Sequence, residues 1–179
     1  MNKTVSKRQL ILDKIADHLL VHGLQGASLR PLAAAVGTSD RMLLHYFVNK
    51  EELMLAALNL VAVRMIQVLE SVQSVQMPFE ALIPHLVEML KDPRIHPYLR
   101  LWLELAALSA GGETAYRSIA QEISQRFYKW IEASLEVKNE EDRAPMVALT
   151  FVTIEGIVFL DALDGHPIIA SALKGISLL

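Results

Sequence analysis

Apolar residues recur at helical spacing along nearly the whole chain, and no stretch alternates convincingly as a strand would. The first predicted helix runs from about Lys7 to His22. Leu12, Ile15, Ala16 and Leu19 form its stripe, Ser6 and Gln9 have the spacing of a capping box, and Gly23 and Gly26 end it. Two short helices follow. Ser28 is a good N-cap residue, Pro31 sits in a first turn where its missing N–H costs little, and Leu32, Ala33 and Val36 supply one apolar face. Gly37 breaks that helix with the freedom a left-handed residue needs. Ser39 caps the next, Asp40 lies at its positive end, and Leu43, Tyr46 and Phe47 face inward together. Asn49 with Glu52 makes a capping-box pattern for a long fourth helix, from near Lys50 to about Ser71.

Five further helices are predicted. They span about Pro78–Leu90 with Pro84 inside, Tyr98–Ala110 after a turn at Asp92–Pro97, Thr114–Val137, Ala144–Leu163 after the charged loop Lys138–Arg143, and Pro167–Leu178. The pattern therefore predicts an all-α protein of about nine helices. An N-terminal three-helix helix-turn-helix head, residues 1–52, is joined by the long fourth helix to a C-terminal helical bundle, residues 53–179. The fourth helix is the natural lever between the two.

The segment Ser28–Leu53 resembles the helix-turn-helix of the TetR family of transcriptional regulators. Gly37, Thr38, Ser39, Leu43, Tyr46, Phe47 and Lys50 stand where that family's pattern has a Gly, a small residue, Ser, Leu, an aromatic or His, Phe and Lys. The likeness covers about the first 60 residues. There are departures: Arg41 replaces a small residue, Met42 a common Thr or Ser, and Leu44 an aromatic hydroxyl that would touch phosphate. They remove two contacts to the DNA backbone and add a guanidinium. The resemblance implies a homodimeric regulator that binds a palindromic operator on double-stranded DNA and, as a repressor, is released by a small-molecule effector.

Candidate DNA contacts are Ser28, Arg30, Thr38, Ser39, Asp40, Arg41, Leu44, His45, Tyr46 and Lys50. Ser28, Ser39, Tyr46 and Lys50 suit phosphates. Arg41 and His45 suit base edges, and Leu44 suits a thymine methyl. Asp40 can cap or accept from a cytosine amine. For Ser28, Ser39 and Lys50 the alternative is capping and surface charge alone.

Charge changes the picture once it is divided. The chain carries a formal net charge of −3, but residues 1–50 hold seven basic against three acidic side chains, net +4, and the remainder ten against seventeen, net −7. A positive head on a negative body is what phosphate binding at one end requires. With 53% hydrophobic and 21% charged residues the chain is not a disordered one, and it has enough apolar surface to hide some in an oligomer. The apolar helix Ala144–Leu163 is expected to be an interface helix about a two-fold axis, with Phe127, Ile131, Phe151, Ile154, Glu155, Gly156, Val158 and Phe159 at the dimer interface. The alternative is a central core helix of a monomer.

For a ligand pocket in the bundle, aromatic and polar residues point to His85, Met89, His96, Tyr98, Trp102, Glu104, Tyr116, Phe127 and Trp130, which would suit a small, largely apolar molecule. Glu104 stands in an otherwise apolar helix, so it either faces solvent or has a hydrogen-bonding or cationic partner. His85 and Glu88 share a helix face, but spacing places no third metal ligand. No metal, cofactor or catalytic residue is expected: the sequence has no nucleophile elbow, phosphate-cradling glycine loop or HExxH pattern. There is no cysteine, no signal-peptide pattern at the amino terminus, and no uncharged run of the ~20 residues a membrane span needs. A cytoplasmic protein is expected, with no membrane partner. Two rivals remain open: a DNA-binding regulator controlled by a protein partner, and a helical ligand carrier or enzyme whose helix-turn-helix is only structural.

Overall fold

The computed structural model describes residues 3–25, 27–72 and 75–178. Among the described residues there are nine α-helices and no strand. They are α1 (Lys3–His22), α2 (Leu29–Ala35), α3 (Asp40–Tyr46), α4 (Lys50–Val72), α5 (Phe79–Leu90), α6 (His96–Ala110), α7 (Thr114–Ser134), α8 (Arg143–Asp161) and α9 (His166–Ile176), with one 3-10 turn at Glu140–Asp142. The all-α class read from the apolar spacing is the class that forms.

Helix ends differ from the sequence reading where a distant contact or a weak start signal decides. Helix α1 begins at Lys3, so Ser6 lies within it and not at its start, and the side-chain bonds of the Ser6/Gln9 pair lie outside the described residues. Nothing between Lys3 and Lys7 breaks a helix, and it simply starts earlier. Gly23 ends α1 in a left-handed conformation (φ +74°), and Gly26 lies outside the described residues. Helix α7 stops at Ser134 instead of Val137 because the chain beyond it pairs with another segment. The Met77 N–H donates to the Ser134 carbonyl at 3.0 Å, and the Glu136 N–H donates to the Met77 carbonyl at 2.8 Å. That single parallel bridge draws Leu135 and Glu136 out of the helix.

The helices form two compact units, Met1–Met65 with Arg100–Ile123, and Ile66–Leu99 with Ser124–Leu179. Helices α4, α6 and α7 contribute residues to both. In the first unit α1 packs on α2 and α2 on α3. Its core contains Ile15, Leu19, Leu32, Leu43, Phe47, Leu53 and Leu58, all essentially without solvent contact. In the second unit α5 packs against α8 and α9, with Leu82, Ile83, Leu86, Val147, Ile154 and Ile169 of these helices buried, as is Ile131 of α7. Each such side chain contributes about 1.5–3 kcal/mol relative to an exposed one. Lys50–Ser71 and Glu140–Asp161 are long and apolar enough to cross a membrane by length and composition alone. In α4 part of that apolarity is core: Leu53, Met54, Ala57, Leu58, Val61 and Ala62 are buried.

Candidate nucleic-acid interface

The turn between α2 and α3 is fixed by local chemistry. Ser28 occupies the N-cap of α2 with extended backbone (φ −87°, ψ 160°), but its hydroxyl makes no capping bond. At the other end Gly37 is left-handed (φ +73°). Its N–H donates to the Ala34 carbonyl (3.0 Å), and the Thr38 N–H donates to the Ala33 carbonyl (2.9 Å). These are the paired bonds of a Schellman motif, which satisfies two end carbonyls and turns the chain sharply. Space beside Gly37 is open, so the glycine is needed for its backbone and not for room. Ser39 then caps α3 by accepting from the Met42 N–H at 3.3 Å.

On α3, Leu43 and Phe47 are buried and Tyr46 is half-buried. Asp40, Arg41, Met42, Leu44 and His45 are exposed, as are Ser28, Arg30, Ser39 and Lys50, while Thr38 is partly exposed. Tyr46 is less free than the phosphate role assumes. The Lys7 ammonium sits 5.7 Å from the centre of its ring, and His45 meets it edge-on at 5.3 Å.

Three arginines that sequence spacing did not single out hold this unit together. Arg8 donates to Glu52 Oε1 (2.9 Å) and to the Tyr46 carbonyl (3.4 Å), and its guanidinium lies 4.6 Å from the centre of the Phe47 ring. It thereby ties α1 to the end of α3 and the start of α4. Glu52 completes that junction: its N–H donates to Asn49 Oδ1 (2.8 Å), and its other carboxylate oxygen accepts from the Val48 N–H (2.6 Å). The predicted capping box thus forms, but the returning bond reaches Val48 and not Asn49. The Val48 N–H holds the Glu52 carboxyl below the usual range; burial opposes it, and Arg8 adds a further, smaller lowering. Arg64 of α4 bridges Asp13 (2.7 Å) and Asp17 (2.8 Å) of α1.

Arg100 and Glu104 of α6 secure the far end of α1. Arg100 donates to the Leu20 and Val21 carbonyls (2.8 and 3.0 Å), satisfying end groups that no helical N–H can reach. Glu104 accepts from the Leu24 N–H at 2.5 Å, with Arg100 3.8 Å away. The isolated acid of the apolar helix therefore has a backbone partner. A Cβ on Gly23 would fall under 3 Å from both carboxylate oxygens of Glu104, so the residue is confined by space as well as by φ.

The residues read as a ligand pocket divide between the units: Trp102, Glu104 and Tyr116 lie in the first, and His85, Met89, His96, Tyr98, Phe127 and Trp130 in the second. His96 is exposed and its ring nitrogen lies 2.9 Å from the Leu90 carbonyl, where it ends α5. Burial pushes the Tyr116 hydroxyl above its ordinary value, with Glu113 adding to the effect. Phe127 stacks on Trp130 (5.5 Å), and Phe151 lies beside Phe127 (6.0 Å) and Tyr128 (5.8 Å). His85 Nε2 is buried with no protein partner among the described residues.

Of the residues read as a dimer interface, Ile131, Ile154 and Val158 are already buried within the protomer, the last two on α8, which packs against α5 and α9. Phe127, Phe151 and Glu155 are partly exposed. Gly156 and Phe159 are exposed, Gly156 with open space beside it. Pro145, Leu149, Val152, Gly156, Phe159 and Leu163 are all exposed and follow one another at alternating intervals of four and three residues, a single apolar stripe.

A tight αL turn, a capped seven-residue second helix and an outward face of cationic, polar and apolar side chains define an all-helical protein of the helix-turn-helix class. Residues 11–57 match the family model of the bacterial regulatory proteins, tetR family. That match lies within the N-terminal head and covers about a quarter of the chain. It is 31% identical over 105 residues to the HTH-type transcriptional repressor AcnR of Corynebacterium efficiens, covering 59% of this chain and 52% of that one. It is 33% identical over 97 residues to the AcnR of Corynebacterium diphtheriae, covering 54% and 45%. The chain thus spans about half the length of the curated relatives it matches. Among solved structures it is similar to a TetR-family transcriptional regulator from Cytophaga hutchinsonii (TM-score 0.73, 17% identity, covering 99% of this chain and 94% of that one). A TetR-family regulator from Rhodococcus sp. is also similar (TM-score 0.65, 22% identity, covering 86% and 85%). The two structural likenesses speak to the fold alone.

Proposed function

We propose that the protein is a homodimeric transcriptional repressor that holds a palindromic DNA operator and is released from it by a small, largely apolar ligand. The observation that carries the DNA-binding part is the α2–turn–α3 unit, whose caps and buried Leu43 and Phe47 leave Arg41, Leu44 and His45 turned outward. Arg41 and His45 meet base edges, while Arg30, Ser39 and Lys50 position the helix on phosphates. Ser28 adds to that set with its hydroxyl unused for capping. The similar proteins named as repressors favour repression over activation, and a regulator of this kind works beside the chromosome, in the cytoplasm.

Dimerisation is supported by the exposed stripe from Pro145 to Leu163, whose spacing matches a helix pairing along its length, with Gly156 allowing close approach. An apolar row of this extent is costly to leave in water. In the dimer two recognition helices would stand about 34–36 Å apart, one DNA turn, or somewhat more. The ligand reading rests on the aromatic group Phe127, Tyr128, Trp130 and Phe151 in the second unit. A ligand releases DNA only so far as it prefers the conformation that fits the operator less well, with α4 as the lever. The test is selection of genomic fragments by the purified protein at two salt concentrations. A recovered palindrome supports the reading, and no fragment above background at low salt sinks it.

A further inference from the structure

The outward surface of α3 is not uniformly polar. Five large hydrophobic side chains between Lys7 and Ala57 are exposed, and three of them fall in one seven-residue stretch: Met42 (40% exposed), Leu44 (41%) and Val48 (86%). Scattered exposed apolar residues need no explanation, but a cluster on the surface meant for a polyanion does. Helical geometry orders it. Successive residues turn by about 100°, so with Leu43 facing the core, Arg41 and His45 point directly away and Met42 and Leu44 flank them on either side. The result is a cationic and aromatic ridge with an apolar shoulder on each side.

Resting on the DNA-binding reading, we infer that Met42 and Leu44 are specificity residues that read thymine 5-methyl groups on the two sides of the base step addressed by Arg41. The thymine methyl is the apolar feature of the major groove, and both shoulders lie on the helix that would enter it. Neither side chain can hydrogen-bond a phosphate, and each gains by leaving water against the apolar methyl. The charge around the shoulders commits the partner to DNA over protein: Arg41 lies between them on the helix, Lys50 follows α3, and residues 1–50 carry net +4. Val48 extends the apolar surface past the helix end, held there by the bond from its N–H to Glu52.

The experiment takes the fragment recovered by genomic selection and replaces its thymines one at a time with deoxyuridine, which removes the methyl and leaves base pairing intact. Affinities are measured by fluorescence anisotropy for the wild-type protein, Met42→Ala and Leu44→Ala, with thermal melts to check that the exposed substitutions leave the fold unchanged. Wild-type protein is expected to lose about fourfold in affinity at a contacted thymine, the worth of one buried methyl-sized group. The penalty at one position should vanish in Leu44→Ala and at another in Met42→Ala. Equal affinity for every uracil-substituted fragment overturns the inference, as do penalties that persist unchanged in both variants, while the DNA-binding reading stands in either case. Failure to bind any DNA overturns the regulator reading and this inference with it.

Discussion

Substituting Gly23 by alanine probes the junction that fixes the exit of α1. Two costs add. A residue with a Cβ held at φ +74° loses about 1–2 kcal/mol against a right-handed backbone. The new methyl would also fall under 3 Å from both Glu104 oxygens, so the carboxylate must move and give up its bond to the Leu24 N–H. A charge-assisted bond of that kind contributes about 1.5–3 kcal/mol, and Leu24 is buried, so its N–H gains little from solvent. The expected loss of unfolding free energy is about 2.5–5 kcal/mol for Gly23→Ala. In a Glu104→Ala background the obstruction and the bond are already gone, and Gly23→Ala should then cost only the backbone part, about 1–2 kcal/mol. The assay is urea unfolding followed by circular dichroism and by Trp102 and Trp130 fluorescence, at one fixed protein concentration because association shifts apparent stability. Equal costs of Gly23→Ala in the two backgrounds would refute the proposed coupling of Gly23 to Glu104.

Three other predictions follow from the same geometry. Glu52 has a lowered native pKa, so the stability it contributes is fully present above the ordinary carboxylate value of 4.5 and is lost as pH falls through the lower native value. The stability gap between wild type and Glu52→Gln in acid titrations of unfolding should therefore close on acidification, and a gap that widens contradicts the assignment. Arg41→Ala should cost about 1–3 kcal/mol of discrimination between operator and non-operator DNA in competition binding, and unchanged sequence preference would remove Arg41 from base reading. Val152→Glu and Phe159→Glu each place a charge on the exposed stripe of α8, and sedimentation velocity should show a shift from dimer to monomer with helicity retained.

Much of the head was legible because its signals are local. The capping bonds of Gly37, Ser39, Asn49 and Glu52 join residues within four positions of each other, and helical caps are written at that range. Ser28 shows the limit, since a capping residue in the capping position need not form the bond. The tertiary clasps were not legible. Arg8, Arg64 and Arg100 reach partners 38 to 80 positions away, and no spacing rule connects them. Gly23 carried a faint signal, as a glycine after a helix, but only the fold brings Glu104 against it. Helix α8 is apolar along most of its length, yet that uniformity hides which side the protomer covers. Ile154 and Val158 turn toward α5 and α9, leaving Leu149, Val152 and Phe159 outward, a choice that depends on the neighbouring helices and not on α8 itself.

The most direct test of the central claim is the salt dependence of binding to the selected fragment. Two heads gripping phosphates through Arg30 and Lys50, with up to one further cation each, should give a slope of log affinity against log salt of about −4 to −5. Lys50→Ala should make that slope shallower by about 2 in the dimer without altering sequence preference. A slope near zero, or one unmoved by Lys50→Ala and Arg30→Ala alike, would contradict a phosphate-gripping head.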